Sequence, residues 1–182
     1  MGSTPVTVPT AAQLETKLNA VFGKQANVFF SVWNEIAMDF PYDFDLPNDK
    51  LDTMTTPCDQ NTSSDEWQNL YSGTITNADL QVFHVKALAN ICSTIQPGGW
   101  TPKGNAPNTF LPVSFVQDDH PGGAAYIDTH EIGHALGFLK DLETAALGDN
   151  TRLMWHSAQE GDPCRLVRDE WRKFNRRARG EP

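Results

Sequence analysis

Residues 128 to 141 read D-T-H-E-I-G-H-A-L-G-F-L-K-D, and they constrain this chain more than any other stretch. His130 and His134 stand four residues apart, within the clearest helical segment of the chain, Ala124 to Leu136. On a helix that spacing puts both side chains on one face, one turn apart. Two imidazoles so placed can bind one Zn²⁺ through their ring nitrogens. Glu131 is rotated by about 100° from His130, given 3.6 residues per turn. Its carboxylate therefore falls beside the open position of the metal, where it can take a proton from a water acidified by the ion. Gly137 follows His134 by three residues, where a helix can end through a left-handed glycine.

The rest of the chain has to supply a fold for that helix. At 182 residues, with 39% apolar and 20% charged residues, it is expected to be one soluble globular domain. A chain of that length can bury a core without disulfides. No run approaches the roughly eighteen apolar residues of a membrane span. Met1-Gly2-Ser3-Thr4 has the look of an added expression sequence, and no signal-peptide pattern follows it. The expected division is an N-terminal segment over 1–10, a single domain over 11–178 and a tail over 179–182.

Element signals run as follows. Residues 11–22 carry a helical stripe at Leu14, Leu18, Val21 and Phe22, and Lys24 to Trp33 is rich in β-formers and expected to be a strand. Asp43 to Asp52 reads as an acidic turn without the Gly and Glu of a calcium loop. Ser63 to Tyr71 suits a short helix capped by Ser63 or Ser64, and Leu80 to Val85 a strand, with His84 a strand side chain rather than a ligand. Ile95 to Asn108 reads as a loop. Thr109 to Gln117 is strand-like, and Pro112 within it argues for an edge strand. A last helix is expected from about Arg165 to Arg177.

Charge and cysteine exclude other classes. The net charge is −9, but residues 165–182 hold 7 of the 14 Lys and Arg against 3 acids. That basic end invites a nucleic-acid reading. The simpler account is a helix with an apolar stripe at Val167, Trp171 and Phe174, whose wet side carries Arg168, Arg172 and Lys173. No nucleic-acid or membrane partner is expected, and a monomer is. Cys58, Cys92 and Cys164 are too few for a disulfide framework, leave one unpaired if two join, and lack zinc-knuckle spacing.

Taken together, His130, Glu131, His134, Gly137 and Met154 resemble the metzincin clan of zinc endopeptidases, whose long motif is H-E-x-x-H-x-x-G-x-x-(H/D) followed by a Met-turn. Small secreted snapalysin-like or matrixin-like domains are the nearest in shape. The resemblance implies an α+β fold: a small twisted mixed sheet with an edge strand over an active-site helix, then a Met-turn and a C-terminal helix. It implies a secreted, extracellular zinc endopeptidase in which Glu131 is general base and acid and Met154 lies beneath the histidines. A peptide or protein substrate would lie against the Thr109–Gln117 strand, adding to it through main-chain hydrogen bonds.

Lys140 stands where the clan has its third ligand. A lysine would have to lose its proton beside a cation, against an ordinary pKa of about 10.4. Asp141, one residue later, offers an oxygen that zinc accepts and is the expected third ligand. His156, two residues after Met154, is the alternative, at a position where some members of the clan carry a tyrosine that can touch the metal. Some other residue is the remaining case. Lys140 also motivates two rival readings: a non-catalytic binding domain on the same fold, and a zinc hydrolase of non-peptide substrates.

Overall fold

The structure, a computed structural model, describes residues 8–32, 51–52, 66–73, 79–85, 87–89, 98–103, 111–117, 124–137, 153–154 and 165–181. Within them the chain is an α+β fold with a small three-stranded mixed sheet and helices packed on it.

Helix α1 (Ala11–Leu18) starts at a capping box: the Thr10 hydroxyl accepts from the Gln13 amide, and the Gln13 side chain accepts from the Thr10 amide. Each bond satisfies an amide that the first turn would leave without a partner. The helix continues through a π-helical turn (Asn19–Gly23) into α2 (Lys24–Ala26), and Asn27, at φ 53°, ends it in the left-handed conformation. The stripe behaves as its spacing predicts, with Leu18, Val21 and Phe22 in the core and Leu14 packed at its margin.

The strand expected over Lys24 to Trp33 does not form. Its first three residues are helical, and Val28 to Val32 runs without a ladder. Helix side chains take the place of a partner strand. Asn19 donates to the Phe30 carbonyl and accepts from the Phe30 amide at 2.7 Å, and the Glu15 carboxylate accepts from the Val32 amide at 2.8 Å. With those backbone groups satisfied, β-propensity has no ladder to join.

Strands β1 (Leu51–Asp52) and β3 (Leu88–Ala89) form a short parallel pair. The main sheet has the order β2 (Gln81–Val85), β5 (Val113–Gln117), β4 (Gly99–Trp100), with β2 parallel and β4 antiparallel to β5. β5 is thus the middle strand, and the edge-strand assignment for 109–117 is wrong. Pro112 precedes the paired residues and contributes only its carbonyl, which accepts from the Gln81 amide at 3.0 Å. Proline is tolerated at a strand's start because no ladder bond needs its missing N–H. β4 lies inside the segment expected to be a loop.

The register sorts side chains onto two faces. Trp100, Phe83, Phe115, Val85 and Val113 pack with Trp67 and Leu70 of α3 (Glu66–Gly73) and with Leu51 and Leu88. Rings interlock there, with Phe83 stacked on Phe115 at 5.2 Å and Trp67 edge-on to Trp100 at 5.2 Å. The opposite face meets α4 (Ala124–Gly137), whose residues 127–135 are all buried. Helix α5 (Arg168–Ala178) closes this side: Phe174 packs on Phe22 with centroids 4.6 Å apart, and Trp171 borders the cluster, while Arg168, Arg172 and Lys173 are exposed as the stripe predicts. Gln25 accepts from the Leu166 amide at 2.8 Å and the Ala26 carbonyl from the Asn175 amide group, joining α5 to the end of α2. Among the described residues no helix is long and apolar enough to cross a membrane.

Candidate metal centre

A buried polar group without a partner costs about 1–3 kcal/mol, so polar side chains on a helix buried along 127–135 call for a reason. Five such side chains lie along α4: Asp128, Thr129, His130, Glu131 and His134, each at most 9% exposed. Apolar Ile127, Ile132 and Ala135 are buried among them, and Ile127 and Ile132 share a core cluster with Val116 and Leu153.

His130 and His134 meet edge to face, with ring centroids 4.8 Å apart and planes at 85°. Their nitrogens and a Glu131 oxygen all lie within 4.8 Å of one another. His130 Nδ1 is 2.9 Å from the Leu153 carbonyl oxygen. A carbonyl only accepts, so Nδ1 carries the proton and the lone pair falls on Nε2, the form in which an imidazole ligates a metal. Leu153 and Met154 form a turn, tied by the Leu153 amide to the Arg165 carbonyl at 2.9 Å, and both side chains are fully buried. The backbone of this turn touches the His130 ring, while Met154 belongs to the core cluster that includes Ile132.

The donors brought together here suit zinc. Two imidazoles and a nearby carboxylate are ligand types that this borderline-soft ion takes, and a proton on His130 Nδ1 makes Nε2 the atom that would ligate. Lys140, Asp141 and His156 lie outside the described residues, as do Cys58, Cys92 and Cys164.

Three contacts at the site have no sequence signature. Thr101, just past β4, places its Oγ1 2.7 Å from Glu131 Oε2, and Ser114 of β5 lies 3.1 Å behind it. A Cβ on Gly99 would stand 2.7 Å from Glu131 Oε1. Leu153 acts through its carbonyl, which any residue would supply. His84, expected to be a strand side chain, is one, and its Nε2 lies 3.0 Å from Asp128 Oδ1. No protein-family model, no curated protein and no solved structure matches this chain.

Proposed function

We propose that this chain is a secreted zinc-dependent endopeptidase whose catalytic domain is metzincin-like. One observation carries the reading: His130, Glu131 and His134 bring their donor atoms within 4.8 Å of one another on a buried helix. The bond from His130 to Leu153 supports it, because it ties the turn before Met154 to the first histidine of the motif. Secretion follows from the likeness of the motif to small secreted proteases.

His130 and His134 would hold the ion, with Asp141 or His156 completing the site. When bound, zinc supplies Lewis acidity toward a carbonyl oxygen and lowers the pKa of water at the site. Glu131 accepts the proton of the attacking water on its carboxylate. It then delivers that proton to the nitrogen that leaves as the C–N bond breaks. Burial of the helix face strengthens both transfers, since charge interacts more strongly away from bulk water.

The middle position of β5 moves the substrate. Both sides of β5 are occupied by β2 and β4, so a peptide cannot add to it. β4 lies on the Glu131 side and pairs only with β5 among the described residues. An extended substrate would therefore pair along the outer side of Gly99–Trp100, by the same strand-addition chemistry.

Glu131→Gln tests the reading. The variant should keep its zinc and lose casein hydrolysis by about 10²–10⁴-fold, the usual worth of a general base. Cleavage at the parent rate would sink the mechanism. Zinc-loaded parent protein that cleaves neither casein nor a mixed peptide library would favour the rivals that Lys140 alone motivates, a non-catalytic domain or a hydrolase of other substrates.

A further inference from the structure

Thr101 is buried on the sheet face that meets α4. Its Oγ1 lies 2.7 Å from Glu131 Oε2, 3.1 Å from the Glu131 carbonyl oxygen and 3.1 Å from Ser114 Oγ. A hydroxyl has one proton to give and two lone pairs to receive with. The carboxylate is both the nearer and the charged acceptor, so it takes that proton. Ser114, itself buried, then donates to Thr101, and the bonds run in one direction from Ser114 through Thr101 to Glu131. Gly99, two residues before Thr101, lies against the other oxygen of the same carboxylate. The start of β4 and the residue after it thus bracket the Glu131 side chain.

That bracket matters because of what the carboxylate would otherwise do. Glu131 is already grouped with the two imidazoles within 4.8 Å, and carboxylate oxygens ligate zinc at about 2.0–2.2 Å. With Lys140 in the third-ligand position, two histidines leave the ion short of donors. A released Glu131 would become a ligand and stop being a base.

We infer that Thr101 is a positioning residue whose hydroxyl keeps Glu131 off the metal and available for proton transfer, with Ser114 holding that hydroxyl in line. This rests on the zinc site proposed above. A hydroxyl that merely filled space would have the opposite consequence. Its loss would loosen the packing of α4 on β4 and weaken metal binding, whereas loss of a restraint strengthens it.

The experiment is zinc affinity, measured on the full chain by competition with a chromophoric chelator, beside casein kinetics. Thr101→Val should bind Zn²⁺ about tenfold more tightly or better, within the range over which groups behind metal ligands shift affinity. The gain should vanish when Glu131→Gln is added, and Thr101→Ser, which keeps the hydroxyl, should bind like the parent. In the same Thr101→Val protein kcat should fall by about 10²-fold with KM little changed, as for a lost general base. If that variant does not fold, Ser114→Ala should shift both quantities in the same directions by less. Unchanged or weaker zinc binding by Thr101→Val, or a gain that survives Glu131→Gln, overturns the inference. Absence of zinc binding by the parent and every variant overturns it together with the metal site. Zinc binding without casein cleavage overturns only the peptidase reading, because the affinity comparison still decides what Thr101 does.

Discussion

His84 Nε2 stands 3.0 Å from Asp128 Oδ1, which joins β2 to α4 two residues before the first histidine of the candidate metal centre. Asp128 is completely buried, and neither of its carboxylate oxygens has a well-formed hydrogen bond among the described residues. The 3.0 Å contact is therefore close without hydrogen-bond alignment, and His84 is the side chain that faces Asp128 Oδ1. Removing one member leaves the other a buried polar group with nothing facing it, at a cost of about 1–3 kcal/mol. His84→Ala should lower the unfolding free energy by that much in urea titrations. Replacing both residues should cost less than the two single changes added together. A His84→Ala protein that unfolds at the parent midpoint would show that α4 is held by its apolar side chains alone.

Gly99 offers a second test of how β4 sits over the helix. A Cβ there would lie 2.5 Å from Ile127 Cγ2 and 2.7 Å from Glu131 Cγ and Oε1. The isoleucine contact cannot relax cheaply, because its branched Cβ restricts χ1. Gly99→Ala should therefore destabilise the fold by about 1–3 kcal/mol, the usual range for overpacking. It should also slow casein cleavage at temperatures where the variant is fully folded, since the displaced atom belongs to Glu131. Full stability together with full activity would mean that β4 does not approach the helix this closely.

What could be read from the sequence divides along physical lines. Long periodic segments announced themselves: Leu14, Leu18, Val21 and Phe22 form the predicted buried stripe, and α4 covers the expected residues with one more at its end. Trp171 and Phe174 face inward while Arg168, Arg172 and Lys173 face water. The failures are places where a partner distant in sequence decides. β4 is only two residues long, too short for any periodicity, and it exists because β5 offers the Trp100 and Gly99 positions a ladder. Val28 to Val32 has strand composition, but Asn19 and Glu15 claim its backbone first. Pro112 points to an edge strand only if it lies within the ladder, and it stands one residue before it. At the site, His130, Glu131 and His134 were legible from spacing alone. Thr101 was not, because a threonine thirty residues away carries no mark of which carboxylate it will meet.

Catalytic zinc sites usually have three protein ligands, of which His130 and His134 would supply two in the proposed site. Asp141 can supply the third if the chain after Gly137 turns back sharply, which a glycine permits by tolerating positive φ. His156 is the alternative. The Leu153 carbonyl already touches the His130 ring, so the segment leading to His156 starts against the site. The two assignments separate in a pair of variants. Asp141→Ala should lose most of its zinc during dialysis against a weak chelator, while His156→Ala should retain the metal and chiefly slow turnover. The reverse ranking would make His156 the ligand. Retention of zinc by both variants would mean that the ion draws its third donor from neither, and Thr101→Val would then show whether Glu131 has taken that role.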